Sequence, residues 1–235
     1  MTRRQTGRKA EKRQKRKDAK AAHVRETVNA PVELTWRTQA QQHAYEKIDE
    51  NDISFLLGAA GSGKTFLAMA YAINSVLSGQ HSQIVLTRPI VDAGEKLGFL
   101  PGTFGEKVNP YMQPLYDAMD AMLGKFSPKR EVINKAVVIA PLCYMRGRTF
   151  NDSVCIFDEA QNATYMQFKL FLSRFGQNSK IIVTGDPFQS DLPMSPPPIN
   201  EVIHKLKGTA GIGMTQFTHA DVVRHPLVAA ILKKL

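Results

Sequence analysis

Residues 53–65 read ISFLLGAAGSGKT, an apolar run followed directly by a stretch in which glycine recurs. The apolar run predicts a buried strand at 53–58, and the residues from Lys64 to about Leu77 predict the helix that follows it. Residues 58–65 fit the pattern G-x-x-x-x-G-K-[ST] in full, between a strand and a helix as that pattern requires. The stretch therefore predicts a turn that holds a phosphate group at the N-terminus of a helix.

The residue types of this turn suggest a role for each part of it. Glycines allow successive backbone N–H groups to point at a phosphate, Lys64 would meet the β- and γ-phosphates, and Thr65 would offer its hydroxyl to Mg²⁺. The alternative is a glycine-rich turn that only reverses the chain. The predicted nucleotide-binding residues are Gly58, Ala59, Ala60, Gly61, Ser62, Gly63, Lys64 and Thr65.

Apolar runs and helical segments alternate along the rest of the chain. Further strands are predicted at 83–89, 136–141, 153–158, 180–186 and, at a sheet edge, 212–217. Helices are predicted at 38–51, at 104–123 with interruptions at Pro110 and Pro114, at 166–175, at 199–208 and at 226–235. Continuous apolar strands that alternate with helices are typical of an α/β fold, in which helices cover both faces of a parallel sheet.

Two adjacent carboxylates, Asp158 and Glu159, directly follow the apolar run VCIF. With a phosphate turn in the same chain, Asp158 would hold the Mg²⁺ and Glu159 would orient and deprotonate an attacking water. A solvated turn is the alternative. The segment VTGDPFQ places Gln189 beyond another strand, where its amide would sense the γ-phosphate or the water, whereas Asp186 fits a simple turn equally well.

Arginines could neutralise charge that develops during phosphate chemistry. Arg224, and the pair Arg146 and Arg148, are the leading candidates because they lie in loops. Arg224 is the one assigned a catalytic role, within its own chain or on a neighbouring subunit. The arginines considered are Arg88, Arg146, Arg148, Arg174 and Arg224.

Most of the formal net charge of +10 belongs to the N-terminus. The first 25 residues hold eleven Lys or Arg against two acidic residues, a local net charge of +9. Without apolar periodicity, this segment predicts a disordered tail over residues 1–30, followed by a single domain over residues 31–235. The tail would contact a phosphate backbone without sequence preference, or it would only aid solubility.

The lengths of the apolar runs and the few cysteines and histidines bear on the location of the protein. No apolar run approaches the length of about 18 residues that a membrane-spanning helix needs, so no membrane partner is expected. Two cysteines and six scattered histidines predict neither a disulfide framework nor a metal cage. A reducing, cytoplasmic location is expected, in a bacterial cell or in the host of a bacteriophage.

These segments, read with LTRPIVDAGEKLGFLPG at 86–102 and APLCYMRGRT at 140–149, resemble the PhoH-like family over most of residues 36–230. The resemblance implies a RecA-like P-loop domain with ATP and Mg²⁺ as cofactors. It also implies that Gln41 reads the adenine, with Gln39 and Gln42 as rivals for that role. Members are related to the ATPase core of superfamily 1 helicases, which implies RNA or single-stranded DNA as a partner and a homo-oligomeric ring, for which a hexamer is one form.

The leading hypothesis is thus an ATPase that couples hydrolysis to RNA or single-stranded DNA. A nucleotide-switched scaffold that binds nucleic acid with little turnover is the alternative. A small-molecule P-loop kinase is a third interpretation, which the Asp-Glu pair disfavours because kinases exclude water from the transferred phosphate.

Overall fold

The computed structural model describes residues 28–89, 104–193 and 196–223, without the side chains of residues 104–109 and 219. Most of the predicted tail, the predicted closing helix at 226–235 and Arg224 lie outside these residues. Within the described ranges, no helix is long and apolar enough to cross a membrane.

The described residues form one six-stranded sheet whose neighbouring strands are all parallel. The strands are β1 (Ile53–Leu57), β2 (Gln83–Thr87), β3 (Val137–Ile139), β4 (Ser153–Phe157), β5 (Lys180–Gly185) and β6 (Ile212–Gln216). Their order across the sheet is β3-β2-β4-β5-β1-β6, so β6 is an edge strand as predicted. The predicted parallel α/β fold is confirmed, and each strand lies within its predicted range.

Six α-helices of the described ranges surround the sheet. They are α1 (Gln39–Glu50), α2 (Lys64–Leu77), α3 (Phe104–Leu123), α4 (Pro128–Ala136), α5 (Tyr165–Leu172) and α6 (Pro198–Leu206). Local capping fixes several starts: the Thr38 hydroxyl accepts from the N–H of Gln41, and Thr164 forms a capping box with Gln167. The sequence therefore sets these helix boundaries through ordinary cap residues.

The core divides into two layers because successive side chains of a buried strand point to opposite faces of the sheet. Helices α1 to α4 cover one face and helices α5 and α6 cover the other. Strand residues of the first layer include Leu56, Ile84, Leu86, Val154, Ile156 and Ile182. Strand residues of the second layer include Phe55, Leu57, Val85, Cys155, Phe157, Ile181 and Val183.

One helical prediction needs correction, and one helix was not predicted. The expected interruptions of α3 are wrong, since the helix runs through both Pro110 and Pro114. The two prolines are four residues apart and so share one side of the helix, while Met112, Leu115 and Met119 are fully buried on the core side. Helix α4 was not predicted, although Ser127 and Pro128 form a normal N-terminal signal for it.

Candidate functional site

The glycine-rich turn joins β1 to α2 at the carboxyl end of the sheet. Gly63 caps α2 in the left-handed conformation with φ 88°, and Gly58 has φ 137°. A Cβ on Gly58 would lie 2.6 Å from the carbonyl oxygen of Phe217, so this position has no room for a side chain. The Lys64 ammonium donates to the carbonyl oxygens of Gly58 at 2.6 Å and Ala59 at 2.9 Å, inside the turn.

Asp158 lies at the centre of the site because β4 and β5 are neighbours and β1 is next in the sheet. Its side chain is 1% exposed, and its Oδ1 atom accepts from the hydroxyls of Thr65 at 2.7 Å and Thr184 at 2.6 Å. A hydroxyl beside a carboxylate is the all-oxygen donor set that suits Mg²⁺. Thr65 and Asp158 therefore fit the metal assigned to them from the sequence.

The Glu159 carboxylate is held by two other side chains. Its Oε1 atom lies 3.5 Å from the Arg88 guanidinium, and its Oε2 atom accepts from the Gln161 amide at 2.5 Å. Its backbone is left-handed, with φ 52°, which costs a residue other than glycine about 1–3 kcal/mol. Strain of this kind is common at functional sites, because the surrounding contacts keep a side chain in a required direction.

The loop after β5, residues 186–191, is here called the β5 loop. Its Gln189 lines a cavity of about 230 Å³ together with Lys64, Thr65 and Glu159. Asp186 also borders the cavity, but its Oδ1 atom accepts from the backbone N–H of Phe188 at 3.0 Å, which fits the turn interpretation. The structure thus brings together the residues that the sequence assigned to phosphate, metal and water.

Gln41 is buried, whereas the two alternatives for the adenine contact, Gln39 and Gln42, are exposed. Its Nε2 atom donates to the Ser62 carbonyl at 3.2 Å, and its Oε1 atom accepts from the Arg37 N–H at 3.0 Å. A second cavity of about 550 Å³ lies beside Gln41 and the phosphate turn. Gln39 is exposed, and Gln42 is exposed and donates to Glu46, so Gln41 alone of the three borders this cavity.

The loop arginines that the sequence singled out do not lie at the cavity in the described residues. Arg146 is exposed, Arg148 lies over the ring of Phe150, and Arg174 donates to the carbonyls of Leu170 and Arg148. None of these three borders the cavity beside Lys64.

Two residues of the site, Arg88 and Thr184, were not predicted from the sequence. Arg88 was considered but not selected, although it follows β2 directly and contacts Glu159. Thr184, which contacts Asp158, was not singled out. Its only sequence signal is its position just before Gly185 at the end of a strand.

Among solved structures, the large terminase from a thermophilic bacteriophage has a similar fold. The TM-score is 0.54 at 10% sequence identity, over 86% of this chain and 51% of the terminase chain. At this identity the likeness concerns the fold alone.

Sequence relatives are much closer. A PhoH-like protein of Bacillus subtilis is 48% identical over 198 residues, which are 84% of this chain and 62% of the relative. A PhoH-like protein of Mycobacterium bovis is 47% identical over 199 residues, covering 83% of this chain and 56% of the relative. The chain thus spans about three fifths of the length of these relatives. The PhoH-like protein family matches residues 33–235, and the chain belongs to that family.

Proposed function

We propose that the protein binds ATP with Mg²⁺, hydrolyses it and couples this cycle to RNA or single-stranded DNA. The observation that carries the proposal is the convergence of Lys64, Thr65, Asp158 and Glu159 around one cavity at the carboxyl ends of the strands. Ligands of open parallel sheets bind at this edge.

Binding of ATP and Mg²⁺ is assigned to the glycine-rich turn and to the oxygen atoms of Thr65 and Asp158. The backbone N–H groups of the turn and the first turn of α2 would hold the phosphates, and the Lys64 ammonium would leave its loop carbonyls for the β- and γ-phosphates. Thr65 and Asp158 would hold Mg²⁺, which when bound neutralises charge on the phosphate oxygens. Gln41 would contact the adenine from the neighbouring cavity, as the family implies.

Hydrolysis is assigned to Glu159 acting on a water molecule. Its carboxylate would accept the proton of the water that attacks the γ-phosphate, and Gln189 would orient that water. Arg88 and Gln161 keep the carboxylate at the cavity wall, so the base is placed before the nucleotide arrives. Removal of a general base of this kind lowers turnover by about 10²–10⁴-fold.

Nucleic acid and a second subunit would complete the cycle. The eleven basic residues among the first 25 give the chain a segment suited to phosphate backbones. In a homo-oligomeric ring, Arg224 or Arg146 of a neighbouring subunit would reach the γ-phosphate. We place this activity in the cytoplasm.

The alternative is a nucleotide-dependent switch that binds nucleic acid with little turnover. Arg88 and Gln161 each contact one Glu159 oxygen, and the switch is favoured if both contacts persist when nucleotide is bound. If the switch is correct, substitution of Glu159 leaves the nucleotide-dependent change in nucleic-acid binding intact.

Phosphate release by the wild type, Glu159→Gln and Lys64→Ala tests the choice, with ATP binding measured in parallel. A hydrolase predicts that Glu159→Gln binds ATP but turns over at least about a hundredfold more slowly. Lys64→Ala should lose binding as well. Equal, near-zero release by all three proteins, with and without single-stranded RNA, would remove the enzymatic proposal.

A further inference from the structure

Two arginines, Arg148 and Arg174, meet on the side of the sheet that α5 and α6 cover. The Arg174 guanidinium donates to the carbonyl oxygen of Arg148 at 3.0 Å, and the N–H of Phe150 donates to the Arg174 carbonyl at 3.0 Å. A Cβ on Gly176 would overlap the carbonyl oxygen of Phe150, so the close approach of the two segments requires glycine there. The backbone therefore fixes two positively charged residues next to each other, which are here called the arginine pair.

The side chains of the arginine pair are also ordered. The guanidinium carbon of Arg148 lies 4.8 Å from the centroid of the buried Phe150 ring, although Arg148 itself is exposed. A stacked guanidinium keeps its N–H groups at its edge, where they can pair with two oxygens of one anion. Arg174 is held by its donations to the Leu170 carbonyl and the Ser173 hydroxyl. A ligand therefore has little side-chain entropy to remove.

The positive charge at the arginine pair is not balanced locally. Among the residues that the structure describes, neither Arg148 nor Arg174 forms an ion pair. Residues 140–151 and 160–180 contain no Asp or Glu, and the carboxylate of the adjoining Asp152 accepts from a side-chain amide. The cations of these two segments are Arg146, Arg148, Lys169, Arg174 and Lys180. This local charge belongs to the domain rather than to the N-terminus, and it favours an anionic ligand.

An exposed aromatic ring lies in the same loop as Arg148. Tyr144 ends a 3₁₀ turn, Leu142–Tyr144, which packs against α5, and the residue is 58% exposed. The backbone under the ring is anchored, because the N–H of Tyr144 donates to the Pro141 carbonyl at 2.9 Å and the next residue, Met145, is fully buried. Cationic side chains beside exposed aromatic rings are the features with which proteins hold single-stranded nucleic acids.

We propose that the arginine pair binds a phosphate group of single-stranded nucleic acid and that the Tyr144 ring stacks on a base of the same strand. The inference rests on the proposed coupling to RNA or single-stranded DNA, and it names the surface of the domain that holds the strand. Both contacts are independent of sequence, since every nucleotide brings a phosphate and an aromatic face.

A second copy of the chain is a poorer occupant of this surface. It would have to offer carboxylates, such as those of α1. These already accept hydrogen bonds within their own chain: Glu46 from Gln42, Asp49 from Tyr71 and Glu50 from Lys47. The phosphates of a nucleic acid need no such exchange of partners.

The phosphate contact is tested by the anisotropy of fluorescein-labelled single-stranded RNA and DNA, over a series of salt concentrations and without nucleotide. Arg148→Gln should weaken binding at least about fivefold and make the slope of log affinity against log salt shallower by about 0.7, because one phosphate contact is lost. Lys135→Gln is the matched control, since it removes the same charge from an exposed position of α4. Unchanged affinity for Arg148→Gln, or equal losses in both variants, would overturn the contact.

Arg148→Lys separates the loss of charge from a disturbed fold. It keeps the positive charge but loses the planar guanidinium, so it should retain the wild-type salt slope and bind more tightly than Arg148→Gln. If Arg148→Lys showed the same shallow slope as Arg148→Gln, the effect would come from altered packing on Phe150, and the phosphate contact would be refuted.

The stacking contact needs a substitution that does not change charge. Tyr144→Ala should weaken binding at least about fivefold with an unchanged salt slope, whereas Tyr144→Trp should keep the affinity. Phe126→Ala is the control, because Phe126 is 97% exposed in the turn between α3 and α4. Wild-type affinity in Tyr144→Ala, or an equal loss in Phe126→Ala, would overturn the stacking.

Light scattering and wild-type binding distinguish the remaining outcomes. An oligomer that dissociates when Arg148 is replaced, but not when Lys135 is, would show that a second copy covers the arginine pair and would refute the proposal. If the wild type bound no oligonucleotide, the proposed coupling to nucleic acid would fail as well. If the wild type bound and Arg148→Gln bound equally, this inference alone would fail. Absence of phosphate release would count against the ATPase and leave the binding tests valid.

Discussion

The Thr65 hydroxyl lies 2.7 Å from a carboxylate oxygen of Asp158, although 93 residues separate the two in the chain. Since Thr184 donates to the same oxygen, an asparagine at 158 can still accept both hydrogen bonds and fill the same space. We expect Asp158→Asn to fold normally but to lower phosphate release at least about a hundredfold, because only the charge that would hold Mg²⁺ is lost. Release measured across a Mg²⁺ titration checks this.

The control for that experiment is Thr184→Val, which removes one hydroxyl and leaves the carboxylate charged. A Mg²⁺ requirement that shifts equally in both variants would contradict the assignment of Asp158 to the metal.

Gln41 should stabilise the phosphate turn as well as contact the adenine of the nucleotide. Each of its amide atoms makes one hydrogen bond to backbone and retains the capacity for another. We expect Gln41→Ala to weaken ATP and GTP binding about fivefold or more, since the Ser62 carbonyl loses its donor. The affinity for ATP should fall further than that for GTP, because the contact with the adenine is also lost, so that the ratio of the two affinities approaches one.

The exposed neighbour Gln42 provides the matched control, and Gln42→Ala should bind both nucleotides like the wild type. If Gln41→Ala and Gln42→Ala had the same nucleotide affinities, the placement of Gln41 beside the adenine would be wrong.

His81 should make the fold sensitive to acid. Burial is the main cause that lowers the pKa of His81 below its usual value of 6.5, with Lys180 acting in the same direction and Asp152 opposing it. The unfolded chain therefore binds the proton more tightly, and the free energy of unfolding should fall as the pH drops from about 7 to about 5. Urea unfolding at both pH values should show a smaller fall for His81→Gln; a fall equal to that of the wild type would assign the acid sensitivity to other groups.

The two cysteines should differ in reactivity. Burial raises the pKa of the Cys155 thiol to about 12, and the thiolate is the reactive form, whereas Cys143 is exposed. A thiol reagent should label Cys143 in the folded protein and reach Cys155 only after unfolding. Cys143→Ser should abolish the rapid phase, and rapid labelling of both thiols in the native wild type would contradict the buried position of β4.

The sequence predicted the sheet well because buried parallel strands are continuous apolar runs with clear ends. The same logic placed Asp158 and Asp186 at the ends of two predicted strands, and the structure has them directly after β4 and β5. It failed for α3, since a local rule about proline cannot include the burial of the opposite side of the helix. Tertiary packing decided that case.

The geometry between segments could not be predicted in the same way. A linear sequence does not show that Arg88 and Gln161 hold the Glu159 carboxylate, because these contacts depend on the order of β2, β4 and β5 in the sheet. For the same reason, the sequence singled out the loop arginines rather than Arg88.

The position of β1 in the sheet also affects how the protein is made. β1 lies between β5 and β6, so Ile53 has Ile181 and Ile212 as its neighbours. On the ribosome, the phosphate turn emerges early, but β1 gains its first neighbour only after β5 has been synthesised and its second only after β6, which ends at Gln216. Nascent and prematurely terminated chains therefore carry the complete GAAGSGKT motif without the framework that shapes it.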